Sequence, residues 1–164
     1  MFMLDQSGSV GEDNHDIAIQ FIQNVVSFFS IGLNATRVGF VAYSTNAHVE
    51  FLLDDHTTLP QLQNAISNID YRGGWTATAI ALNFTRILLN PASPYGARPN
   101  SDGIPKIGIL LTGMQRAQAT VHMKFKACLG LPSISVPGSM SLVHYNMFNT
   151  LHSLLICTLA LPLS

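Results

Sequence analysis

At 164 residues the chain has room for one ordinary domain and its core, and not for two comfortable ones. Its 48% hydrophobic content excludes a disordered chain, although its 10% charged content falls far below the roughly 25% of an average globular protein. Eight Lys and Arg against nine Asp and Glu leave a net charge of -1, so no overall basic field exists to hold nucleic acid or an anionic membrane. Two cysteines are too few for a disulfide scaffold. The Met1-Phe2-Met3-Leu4 start shows no basic region followed by an apolar stretch and a cleavage site, so no export signal is visible.

The short apolar start ends at Asp5, and the Gly-rich segment Gln6 to Gly11 leads into Glu12-Asp13, acids suited to the positive N-terminus of a helix. Ile17, Phe21, Val25 and Phe28 then recur at helical spacing, with Ile22, Val26 and Phe29 widening the stripe, and Gly32 and Asn34 end it. Val38 to Tyr43 and His48 to Leu53 are β-rich runs separated by the turn-like Ser44-Thr45-Asn46, which predicts a hairpin. Leu59, Leu62, Ala65, Ile66 and Ile69 form a second helical stripe. After Arg72-Gly73-Gly74 comes a third, on Ile80, Ala81, Phe84, Ile87 and Leu88. Pro91 to Gly103 is a polar turn region, and Ile107 to Leu111 is a continuous apolar run of the kind that forms a strand covered on both faces. Alternation of this sort predicts an α/β fold with a mostly parallel sheet.

Composition changes after Thr112. All nine acids lie before it, whereas residues 113–164 contain none and carry Arg116, Lys124, Lys126 and both cysteines. This stretch is rich in Leu and Ser, includes Pro132, Pro137 and Pro162, and holds no sustained period of 3.6 or 2, so it is expected to be irregular.

The chemistry-bearing residues collect at the end of the first strand. Asp5-Gln6-Ser7-Gly8-Ser9 has the form D-x-S-x-S where a parallel sheet presents its ligand-binding edge. One carboxylate and two hydroxyls make a hard-oxygen set suited to Mg²⁺ or a similar ion, and Gly8 lets the loop turn tightly. A serine-glycine turn capping the next helix is the plainer reading of the same residues.

The order D-x-S-G-S-V, a long amphipathic helix, V-G-F-V-A-Y-S, then G-G-W-T-A-T-A-I-A-L and K-I-G-I-L-L-T resembles the von Willebrand factor type A domain throughout residues 2–112. The resemblance implies a Rossmann-like, doubly wound sheet and a metal-ion-dependent adhesion site. It places Asp5, Ser7, Ser9 and Thr76 at four of that site's positions, with Thr78 at a second threonine less suited to touch the metal. The family's next aspartate is absent, because Thr112 is followed by Gly113-Met114-Gln115. The implied Mg²⁺ or Mn²⁺ is therefore expected to be weakly held. Loss of the resemblance and of acids at one residue predicts a division into 1–112, a partial domain, and 113–164, an unassigned tail of out-of-frame, intronic or alternatively spliced sequence, with a divergent domain that uses other core residues as the competing reading. Met1 likewise falls inside what should be the first strand.

The implied function is a non-enzymatic, metal-dependent binding module for a protein that presents an acidic side chain, such as a matrix protein or collagen. By the same resemblance its parent is extracellular. Two alternatives stand beside it: a truncated product without function, and a hydrolase using metal-activated water, for which the sequence identifies no general base. The patterns G-x-x-x-x-G-K-[ST] and G-x-S-x-G are absent. His122, Cys128, His144, His152 and Cys157 match no compact zinc spacing, and Leu151 to Leu163 is shorter than the roughly 20 residues that cross a bilayer. Asn34-Ala35-Thr36 and Asn83-Phe84-Thr85 are glycosylation sequons, of which Asn34, in an expected loop, is the better candidate.

Overall fold

A computed structural model describes residues 1–112 and, beyond them, the backbone of two strands at 139–146 and 152–160. The elements run β1 (Phe2–Asp5), α1 (Glu12–Val26), β2 (Phe40–Tyr43), β3 (Ala47–Phe51), α2 (Leu59–Ser67), α3 (Thr78–Leu88), a short 3-10 turn (Asn100–Asp102), β4 (Lys106–Thr112), β5 (Ser139–Asn146) and β6 (His152–Ala160). The six strands form one sheet in the order β3-β2-β1-β4-β6-β5. β1 pairs in parallel with β2 and β4, and β4 in parallel with β6, while β2/β3 and β5/β6 are antiparallel. The α/β, mostly parallel architecture and the β2/β3 hairpin are those expected from the sequence.

Every residue of β1 and of β2 is buried, which is why both runs, up to Asp5 at the end of β1, are apolar without alternation. One face of the sheet carries Phe2, Leu4, Phe40, Ala42, Ile109 and Leu111 against α1 and α2 through Ile22, Val25, Val26, Leu62 and Ile66. The other carries Met3, Val41, Tyr43 and Leu110 against Ala81 and Leu88 of α3. Because the chain leaves β1 toward β2 on one side and reaches β4 on the other, the β1/β4 boundary is a topological switch point, the place where such sheets open a crevice for ligands.

Three expectations need correction. The first helix ends at Val26, and Phe28 is 46% exposed, because the chain closes with the tighter bonds Phe28 N to Val25 O and Phe29 N to Val26 O. The third stripe is rotated: Ala81, Thr85 and Leu88 face the sheet, while Ile80, Phe84 and Ile87 are exposed. Both sets satisfy helical spacing, and the small Ala81 lets the helix lie close to the sheet. Finally, residues 139–146 and 152–160 form strands where no period was found. A continuous apolar run such as Leu154–Cys157 carries no alternation to detect. Pro132 and Pro137 lie outside the described residues.

Candidate metal centre

Asp5 ends β1 and Thr112 ends β4, so the two flank the switch point. The Thr112 hydroxyl donates to Asp5 Oδ2 at 2.7 Å, and the Ser7 amide donates to Asp5 Oδ1 at 2.9 Å. Asp5 is 3% exposed, and each of its oxygens keeps a lone pair beyond the one used. Ser7 Oγ and Ser9 Oγ stand 3.2 Å apart, with Ser7 buried and Ser9 exposed. The motif thus turns back on itself, and its oxygens gather at the sheet edge.

Thr76 comes from the loop before α3. That loop is tied to the motif by Gly8 N donating to Gly74 O at 2.8 Å, and to the β2–β3 turn by Trp75 N to Thr45 Oγ1 at 3.0 Å and by Ala77 N to Ser44 O at 2.8 Å. Gly74 is required there: its φ is +104°, and a Cβ would come within 2.7 Å of Thr45 Oγ1. Thr76 is exposed on this loop. Thr78 opens α3 instead, so the structure separates the two threonines by element.

The Tyr43 hydroxyl is buried without a hydrogen-bond partner, although Thr78, Thr112 and Asp5 surround it. Burial, then the Asp5 charge, pushes its phenol above the ordinary tyrosine range. A buried polar orphan beside a carboxylate and a hydroxyl pair is a site with unused polar capacity. One carboxylate with three hydroxyls fits a hard divalent cation. Among the described residues no group of three or more His, Cys, Asp or Glu is placed to hold a metal. Of the five His and Cys weighed for zinc, His122 and Cys128 lie outside the described residues.

Sequence reasoning missed Thr112 as the partner of Asp5, and it missed a buried network beneath the motif. Gln6 Nε2 donates to the Asp70 carbonyl at 2.7 Å and lies 3.1 Å from His15 Nε2. Arg72 Nη1 donates to Gln6 Oε1 at 3.3 Å and pairs with Glu50 at 2.5 Å. Tyr71 donates its hydroxyl to Ser7 O at 3.1 Å. The available signal was His15, a polar residue seven positions before Ile22 and so on the apolar stripe of α1. Both sequon asparagines are exposed; Asn34 lies in a loop, whereas Asn83 is on α3 with its Oδ1 taken by Arg86 at 3.0 Å. No helix among the described residues is long and apolar enough to cross a membrane.

A parallel α/β sheet with a D-x-S-x-S loop at its switch point defines a class of adhesion-type domains. The chain belongs to the von Willebrand factor type A domain family, whose model matches residues 1–126, running past Thr112. It is 29% identical to mouse matrilin-2 over 118 residues, and 37% identical to the collagen alpha-1(XII) chain of Notophthalmus viridescens over 113 residues. Each alignment covers 68% of this chain and 12% of the relative, so the chain spans a small part of the curated relatives it matches. Among solved structures it is similar to proximal thread matrix protein 1 from the mussel byssus, with a TM-score of 0.60 at 25% identity over 73% of this chain and 31% of that one. A form of the same protein described as having a zinc-occupied MIDAS motif matches with a TM-score of 0.58 at 25% identity, over 72% of this chain and 32% of that one.

Proposed function

We propose that the chain is a non-enzymatic protein-binding module of the extracellular matrix, working through a divalent cation held weakly by Ser7, Ser9, Thr76 and, directly or through water, Asp5. The observation that carries this reading is the gathering of the Asp5 carboxylate and the Ser7 and Ser9 hydroxyls at the switch point, with Asp5 oriented by Thr112 from the neighbouring strand. When bound, Mg²⁺ or Mn²⁺ would supply a coordination position for an acidic side chain of the partner. The chain's own residues do the rest. Thr112 and the Ser7 amide fix the carboxylate, and the Gly8 to Gly74 bond holds the Thr76 loop against the motif.

A single carboxylate leaves more of the cation's charge available to an acidic ligand and holds the cation less tightly. The module is therefore expected to need a high free Mg²⁺ or Mn²⁺ concentration. Matrilin and collagen relatives and a zinc-bearing neighbour support the matrix setting and the metal. The binding function is assigned to residues 1–112 and none to 113–164. In a secreted product, Asn34 is the sequon that carries glycan.

Surface plasmon resonance on immobilised collagen tests the reading. Binding should rise with Mn²⁺, vanish in excess EDTA and be competed by free glutamate-bearing peptide. Binding that EDTA leaves unchanged would contradict it.

A further inference from the structure

Two partners fix the Gln6 side chain independently of any histidine. Its Nε2 faces the Asp70 carbonyl, which can only accept, and its Oε1 faces Arg72 Nη1, which can only donate. The amide cannot be turned over without breaking both bonds. Its second N–H then meets His15 Nε2, which must accept, so the imidazole proton belongs on Nδ1, 3.3 Å from Asp16 Oδ1. Gln6 is 1% exposed and His15 2%, so water replaces neither bond.

We propose that His15 is a positioning residue for the metal loop: as a neutral acceptor it holds Gln6, and its protonation releases the Asp5–Ser7 segment and weakens cation binding. This rests on the metal reading given under Proposed function. A doubly protonated ring would set an N–H against the Gln6 amide N–H, with no alternative orientation open to the amide. The loop feels the change at two points, because Gln6 lies between Asp5 and Ser7, and because the Tyr71 ring packed on His15 at 5.7 Å carries the hydroxyl that holds Ser7 O. The charged and titratable groups facing His15 are few. Asp16 on α1 stands with Oδ1 3.3 Å from Nδ1, and Tyr71 packs on the ring; Arg72, paired to Glu50 of β3, and the Asp70 carbonyl reach it only through the Gln6 amide.

Mn²⁺ affinity of the full chain, measured by calorimetry from about pH 8 to about pH 5, is compared with His15→Gln, whose amide oxygen can accept from Gln6 without titrating, and His15→Phe, which keeps a ring against Tyr71 and offers no acceptor. The wild type should weaken about tenfold more than His15→Gln over that range, as expected for loss of one buried hydrogen bond, while His15→Phe is weak throughout. Metal-free nitrogen-15 spectra should show the Nδ1–H tautomer, and titration of His15 should move the Gln6 side-chain and Ser7 amide resonances. Coincident pH profiles for wild type and His15→Gln, an Nε2–H tautomer, or loop resonances that ignore the titration would each overturn the proposal. Absence of Mn²⁺ binding at every pH would overturn its cation half together with the proposed function, while the spectra decide the loop half separately.

Discussion

Asp5, Ser7 and Ser9 were legible in the sequence because they lie within five residues on one turn, where local spacing dictates proximity. Thr112 was not, since it meets Asp5 across 107 residues and only the β1/β4 register brings them together. The position after Thr112 offers a direct test of that register. Gly113→Asp adds a second carboxylate next in sequence to Thr112, and Mn²⁺ affinity is expected to rise about tenfold or more by calorimetry, because ligand charge count tunes such sites. Tyr43 gives a residue-scale prediction in pH. Its folded value is raised, so the neutral phenol contributes stability that is fully present below the unfolded value near 10 and is lost as pH rises through and above it. Relative to Tyr43→Phe, urea unfolding of the wild type should therefore show declining stability from about pH 9 to about pH 11, and parallel curves for the two would contradict the assignment.

Among the elements, the helices show what periodicity settles and what it leaves open. It located α1, α2 and α3, since each buries a stripe, and on α3 it placed Ala81 and Leu88 correctly but drew the stripe too far round: Ile80, Phe84 and Ile87 are individually more apolar than Thr85, which the sheet nevertheless buries at 4% exposure. The choice depended on which face carries a residue small enough for close approach, and that is a property of the packed pair. The loop before α3 showed in the sequence only as the Arg72-Gly73-Gly74 break between two stripes, and its course depends on Gly74. Gly74→Ala forces a side chain into a left-handed conformation and against Thr45, at an expected cost of about 1–3 kcal/mol in denaturant unfolding. The same variant should weaken Mn²⁺ binding, because the Gly8 to Gly74 bond brings Thr76 to the motif.

For the whole molecule, the sheet order places β4 between β1 and β6, paired on both sides from Lys106↔His152 to Thr112↔Thr158. Loss of acids and of the family resemblance at one residue set residues 113–164 apart in the sequence; a two-strand contribution from them depends on long-range pairing that no local pattern encodes. Deleting 113–164 removes β6 and leaves the apolar β4 as an open edge. Light scattering should then show association, and hydrogen exchange should show lost protection over Ile107–Leu111; an equally protected, monomeric 1–112 fragment would mean that β6 does not pair with β4. The proposed function nevertheless rests on the cluster at the β1 end. Calorimetric titration of Mn²⁺ into the full chain and into Asp5→Ala and Ser7→Ala tests it most directly. Weak, saturable, one-site binding in the wild type and its loss in both variants is the expected result, and equal affinity in all three chains would contradict a metal centre built on this loop.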